Sequence, residues 1–274
     1  MEPVGDPVDS IGPIGPNELH VMTFNVRVDH DGPPHSWPER HRVIERLLTD
    51  EQPHVLGTQE CLYHQVRDVA RALPQRYEWI GMGREGGSRD EFLAIHFDTT
   101  RLEPVEFDHF WLSETPSVVG SRSWDTRSVR MVTWVRFTDR RTGRDFVVVN
   151  THLDDGSETA RIRGAELVAR TVGGFADDVP LVVTGDFNAN AETSTEYNTL
   201  TMQGHLVDTW LTCKERGRFY ASYHGYGTLR EEGDRIDWIL ASPDVTTRAS
   251  MLNPIRDPAY PSDHLPYQAV IRLP

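Results

Sequence analysis

The stretch VTGDFNAN, residues 183 to 190, closes an apolar run that begins at Pro180 with an aspartate and two asparagines. A short β-branched segment opened by proline and closed by Gly185 has the pattern of a buried strand that stops at Asp186. Asp186 and Asn188 are two residues apart, so extended geometry carried one pair further would put both side chains on one side. A carboxylate and an amide held there could bind a metal, orient a water or close a turn, since Asx residues are frequent in tight turns. The placement recurs along the chain. Asn25 in FNVR, Glu60 in GTQE, His152 in NTHL, Asp237 in RIDW and the pair Asp263-His264 in SDHLP all stand at or beside the ends of apolar runs. Each has a plain structural explanation when taken singly. Asn25 fits a hydrogen-bonded core amide, Glu60 a helix cap and His152 a satisfied strand-edge histidine; Asp237 fits an ion-pair partner for Arg235, and Asp263 a turn residue before Pro266. Their number at strand ends is what the separate explanations leave unaccounted for.

The elements that must position these residues are legible in the hydrophobic pattern. His20 to Val28 alternates β-formers, with Asn25 and Arg27 on one face and Phe24 and Val26 on the other. Ser36-Trp37-Pro38-Glu39 has the form of a capping box and is followed by Val43, Ile44, Leu47 and Leu48 at helical spacing. Residues 54 to 60 return as a strand ending at Glu60, and Val66, Val69, Ala70 and Leu73 mark a second amphipathic helix. From Tyr77 to Asn150 successive β segments read as an antiparallel meander. A helix over Glu158 to Val172, a strand at Leu181, a short helix near Glu196 and strands over 235–241 and 267–273 complete the chain. Helices bordering two β-rich halves predict an α+β fold, a four-layer α/β/β/α sandwich of two packed, mostly antiparallel sheets with helices on the outer faces. No linker or repeat divides residues 19–274, which are expected to form a single domain. Residues 1–18, rich in proline and glycine, are expected to be a flexible tail.

Composition narrows the function classes. The 274 residues carry a net charge of −14, which disfavours a surface built to grip long nucleic acid, because counterion release needs a dense basic footprint. Lys214 is the only lysine among 28 basic residues, a bias that coding composition explains as readily as bidentate phosphate binding. No apolar run has the length of a membrane span. The N-terminal residues lack a basic n-region and an apolar h-region, so the expected location is cytoplasmic, with secretion of a processed form left open. Cys61 and Cys213 show no metal spacing and read as free thiols.

In chain order, FNVR, GTQE, NTHL, GDFN, RIDW and SDHLP resemble the motif series of the endonuclease/exonuclease/phosphatase superfamily, the deoxyribonuclease I-like metal-dependent phosphoesterases, over residues 20 to 274. FWLSETP with SWD soon after further resembles a largely bacterial branch of metal-dependent hydrolases. Trp238 stands where tyrosine is usual and Cys61 where that branch often has alanine; neither departure removes a ligand. The resemblance implies one or two Mg2+ or Mn2+ ions, with Glu60 as principal carboxylate and Asn25 and Asp263 completing the sphere. It implies that Asp186 and Asn188 orient and activate the attacking water, that His152 and His264 donate to phosphoryl oxygens, and that Asp237 fixes His264. Such chemistry suits a phosphoester, whose oxygens repel a nucleophile until charge is neutralised and a water placed in line. Arg27, on the face of Asn25, and Arg130, at the start of a central strand, are candidates for substrate phosphate, though a surface role serves either equally well; His224 in SYHGYG joins them by family analogy. The expected enzyme is a monomeric phosphoric ester hydrolase acting on a phosphomonoester or phosphodiester in a small molecule, sugar phosphate or lipid headgroup. A nuclease acting on DNA or RNA is the alternative, and a catalytically silent binding module of the same fold ranks below both.

Overall fold

The structure, a computed structural model, describes residues 7–175, 179–255 and 259–274. In chain order its principal elements are β1 (Leu19–Asn25), α1 (Trp37–Glu51), β2 (Val55–Cys61), α2 (Tyr63–Ala72), β3 (Tyr77–Gly83), β4 (Phe92–Asp98), β5 (Leu102–Trp111), β6 (Met131–Asp139), β7 (Asp145–His152), α3 (Glu158–Val172) and β8 (Leu181–Asp186). There follow α4 (Thr195–Asn198), which runs into a π-helical turn over Thr199–Gln203, β9 (Val207–Asp208), α5 (Thr209–Thr212), β10 (Glu215–Arg216), β11 (Asp237–Ala241), β12 (Thr246–Leu252) and β13 (Tyr267–Arg272). One sheet has the order β10-β12-β13-β1-β2-β4-β3 and the other β5-β6-β7-β8-β11-β9. Most neighbours are antiparallel; β1 with β2, β7 with β8 and the short β10 with β12 are parallel.

Strand alternation divides the apolar residues between layers. On β4, Ile95 and Phe97 join Phe146 and Val148 of β7 in the core between the sheets, while Phe92 and Ala94 face Ile44 and Leu47 of α1 and Val66 and Val69 of α2. Val147 and Val149, on the other face of β7, pack against Ala165 and Val168 of α3. The result is the expected four-layer sandwich. Its helix starts are set locally: the Glu39 carboxylate accepts from the backbone N and the hydroxyl of Ser36, and Ser157 Oγ accepts from Ala160 N.

Several details differ from the sequence expectation. The run from Tyr77 to Asn150 is not one meander, because β3 and β4 belong to the first sheet and β5, β6 and β7 to the second. Alternation looks the same whichever sheet a strand joins, so the crossing at the turn after Asp98 leaves no mark in the pattern. β1 ends at Asn25, and Arg27 has φ 61°, so Arg27 leaves by a left-handed turn and not by strand alternation. β12, TTRASML, carries too many polar residues to stand out, yet Ala249 and Met251 cover Val270. In the stretch expected to be a tail, Val8 bridges Gly217 and Ile11 packs on that same cluster, while residues 1–6 lie outside the described residues.

The topology fixes where chemistry can occur. The C-terminal ends of β1 and β2 meet those of β7 and β8, and β11, antiparallel to β8, starts with Asp237 directly opposite Asp186. β13 starts beside the end of β1, which brings the preceding Asp263 and His264 to the same rim. The two sheets therefore deliver Asn25, Glu60, His152, Asp186, Asp237, Asp263 and His264 to one edge of the sandwich.

Candidate active site

Asn25 ties the two sheets together at that edge. Its amide nitrogen donates to Glu60 Oε1 at 2.9 Å and to Asp186 Oδ2 at 2.9 Å, and its oxygen accepts from Arg27 N at 3.0 Å. Glu60 is reached through a bulge between Thr58 and Cys61, has φ 62°, and its Oε2 accepts from Val28 N at 2.9 Å. Burial alone would raise its pKa, but the hydrogen bonds from Asn25 and Val28, with His264 and Arg27 nearby, hold the carboxyl below its ordinary value. The loop after β1 is pinned by the fully buried Arg40, which donates to the carbonyls of Val26, Arg27 and Val28.

The Asp186–Asn188 pair combines two of the readings left open by the sequence. Asp186 Oδ1 accepts from Asn188 N at 2.9 Å and Asn188 has φ 47°, so the aspartate closes a turn. That turn also presents Asp186 Oδ2 to both imidazoles, 3.5 Å from His152 Nε2 and 3.7 Å from His264 Nε2. Asn188 Nδ2 donates to Leu153 O at 3.1 Å and lies 3.1 Å from His152 Nε2.

The two histidines are backed by opposite charges. Arg130 Nη1 lies 2.9 Å from His152 Nδ1, so a guanidinium, which can only donate, backs that side of the ring, while Nε2 faces Asp186 and Asn188. Burial together with Arg130 and Arg84 pushes His152 well below its ordinary pKa. His264 Nδ1 lies 3.0 Å from Asp237 Oδ2, so Asp237 pairs with His264 and not with Arg235, which pairs with Asp208. Burial opposes the charge on His264, but Asp237 and Asp186 carry its pKa well above the ordinary value. One imidazole is thus held neutral and the other cationic, each with Nε2 turned to Asp186.

Arg27 lines the cavity, with Nη1 3.9 Å from Glu60 Oε2 and Nε 3.7 Å from Asp263 Oδ2. Asp263 lines it as well, and its pKa is raised by burial and by Glu60 against the pull of His264 and Arg27. Arg130 is buried in the wall beside His152. His224 is not brought to the site. Its ring lies 4.3 Å from that of Tyr260, its backbone N donates to Asp263 O, and the residue of that loop lining the cavity is Tyr223, whose ring is 5.0 Å from His264. Arg84, Glu91, Arg127 and Asp155 also line the cavity, of about 440 Å³, and sequence reasoning did not find them. They sit in turns and loops, where no hydrophobic period marks a position.

The donor set fits a divalent cation. Glu60 and Asp186 bring carboxylate oxygens within 4.8 Å of each other, as do Asp186 and Asp237. Burial and the neighbouring Asp237 push Asp186 up to about 7, against His264 and hydrogen bonds from Asn188 and Asn25. A buried carboxyl with raised proton affinity, beside a second raised carboxyl in Asp263, marks surplus negative charge that a cation would balance. Carboxylate oxygens predominate, which suits magnesium or manganese. Asn25 enters this set mainly as a brace, since its oxygen is engaged by Arg27 N.

Comparison with known proteins agrees with this geometry. The sequence pattern of the Endonuclease/Exonuclease/phosphatase family matches residues 22–264. An endonuclease/exonuclease/phosphatase structure from Bacteroides vulgatus is 31% identical with a TM-score of 0.88, over 94% of this chain and 99% of that one. A mannosyl-6-phosphatase from Bacteroides thetaiotaomicron is 31% identical with a TM-score of 0.84, over 92% and 99%. Protein angel of Drosophila melanogaster is 26% identical over 238 residues, 81% of this chain and 64% of that protein, so the chain spans less than two thirds of this curated relative.

Proposed function

The chain belongs to the endonuclease/exonuclease/phosphatase family, and from that premise we propose that it hydrolyses a phosphoester in a small phosphorylated molecule with the help of a divalent cation. The observation that carries this reading is the position of Asp186 Oδ2, within 3.7 Å of both imidazoles and bridged by Asn25 to Glu60 on the cavity wall. Glu60 and Asp263 would hold Mg2+ or Mn2+, which when bound neutralises phosphoryl charge. Asp186 accepts the proton of the attacking water, and Asn188 holds that water in line with the ester bond. His152, and His264 made cationic through Asp237, donate to the phosphoryl oxygens and stabilise charge developing there. Arg27 steadies the remaining oxygens, and Arg130, paired with Asp155, holds His152 in place.

Two features support a small substrate: the net charge of −14 and similarity over almost the whole chain to a mannosyl-6-phosphatase. No described helix is long and apolar enough to cross a membrane. The test is hydrolysis of an aryl phosphomonoester and an aryl phosphodiester with Mg2+ or Mn2+, with and without excess EDTA. The reading expects turnover that chelation abolishes; full activity in EDTA would overturn the metal assignment. Plasmid nicking that exceeds turnover of every small phosphoester would install the nuclease in its place.

A further inference from the structure

The cavity has two unlike ends. Beside His264 it is walled by Tyr223 and Ile236; beyond His152 it is walled by arginines already matched to carboxylates. Arg84 contacts Asp90 at 3.0 Å and Glu91 at 2.8 Å. Arg130 contacts Asp155 at 2.9 Å and lies 3.7 Å from Asp154, while Arg127 contacts the second oxygen of Asp155 at 2.8 Å. Three guanidiniums therefore face four carboxylates, and no positive charge is left over for a second phosphate. A polyanion laid across this end would meet Glu91 and Asp155.

A paired guanidinium and carboxylate presents donors and an acceptor side by side. A guanidinium only donates and an ionised carboxylate only accepts, whereas a hydroxyl does both and can satisfy the two at once. Charge-assisted hydrogen bonds of this kind are the strong ones. Glu91 lines the cavity and takes no part in the reaction proposed for the rim. It immediately precedes β4, the neighbour of β2, which carries Glu60, and one of its oxygens is held by Arg84. We propose that this charge-paired end of the cavity, centred on Glu91 and Arg84, is a subsite for the hydroxylated leaving group of a phosphorylated sugar or polyol. The proposal rests on the phosphoester hydrolase reading and extends it from reaction to substrate class. Burial also pushes the Glu91 carboxyl up to about 7, against Arg84, so near neutrality it can either accept from or donate to a hydroxyl.

The test uses the full chain and compares glucose 6-phosphate with p-nitrophenyl phosphate, which offers no hydroxyl beyond its phosphate, in the wild type, Glu91→Ala and Glu91→Gln. The ratio of kcat/KM for the hydroxylated over the aryl substrate should fall about 10- to 100-fold in Glu91→Ala, mainly through KM, and less in the isosteric Glu91→Gln. Thermal midpoints report whether each variant is folded. An unchanged ratio in both variants overturns the subsite, as does an equal loss on both substrates, which would place Glu91 in the reaction itself. If the wild type hydrolyses neither compound with Mg2+ or Mn2+, the hydrolase reading fails, and calorimetry then decides the subsite separately. Tighter binding of glucose 6-phosphate than of orthophosphate, lost in Glu91→Ala, sustains it; equal affinity in the wild type removes it.

Discussion

Titratable groups are buried in two parts of this molecule, and the two treat them differently. Away from the strand-end rim His20, His54 and His96 are held neutral by burial, with pKa values pushed down to about 4, 4 and 3, and the buried acids there are matched one to one, Asp139 with Arg101 and Asp208 with Arg235. At the strand-end rim Asp186, Asp237, His152 and His264 lie within reach of one another with Glu60 and Asp263 close by, and the carboxylates outnumber the cations that face them. Burial shifts proton affinity in both regions, so a shifted pKa alone does not mark a site. Convergence of several groups on one open cavity, with charge left unbalanced, does.

The largest test of that contrast is to remove a group from each region. Asp186→Asn should lower kcat about 1000-fold or more, because it deletes the proton acceptor at the centre of the rim, whereas His96→Leu should leave kcat within about twofold. Steady-state turnover of an aryl phosphate by both purified variants gives the answer. A comparable loss in both would mean that the interior and the rim are not separable. Glu60→Gln should raise the Mg2+ concentration needed for half activity, a shift Asp186→Asn should not show, and identical metal titrations would erase the division between cation holder and proton acceptor.

Chelation sharpens the comparison at the level of stability. A cation bound only by the folded rim adds RT ln(1 + [L]/Kd), about 2.7 kcal/mol at a hundredfold excess over Kd. Excess EDTA should therefore abolish activity and lower the thermal midpoint of the wild type by several degrees, and should do so less in Glu60→Gln. Equal midpoints with and without EDTA would deny that the rim holds the cation.

A smaller loss, about 100-fold in kcat, is expected of Asp237→Asn, which keeps the contact with His264 Nδ1 but removes the charge that keeps the ring cationic. The pairing shows why much of the rim could be read from sequence. Asp186, Asp237, Glu60 and His152 each end or begin an apolar run of their own, so the run itself announces the strand end. Arg84, Glu91, Asp155 and Tyr223 belong to segments whose place is set by tertiary packing, and nothing local distinguishes them from solvated loop residues. Tyr223 and His224 are the sharpest case: one residue of register decides which ring meets the cavity, and the loop has no period to fix it. The allocation of β3 and β4 to one sheet and β5 to β7 to the other was hidden for a related reason, since pairing partners lie far apart in sequence.

The interior provides the smallest effect and the most direct check on what burial does there. His96 lies on the helix side of β4 with Phe92 and Ala94 and close to Trp79, and neither ring nitrogen has a hydrogen-bond partner among the described residues. Burial is the whole cause of its low pKa, about 3 against an ordinary 6.5. Between those values the unfolded chain binds a proton at this position and the folded chain does not, so this histidine lowers folding stability progressively as pH falls below 6.5 and has no such effect above it. Leucine at position 96 removes two unsatisfied nitrogens and the titration together. His96→Leu should be more stable than the wild type by about 1 kcal/mol at pH 7, and the gap should widen from pH 6.5 toward pH 4.5. His20 and His54 titrate alike in both proteins and drop out of the difference. Urea midpoints of the two proteins between pH 7.5 and 4.5 measure it; a constant gap would show that His96 finds a partner or reaches water, and the interior would then resemble the rim more than its neutral histidines suggest.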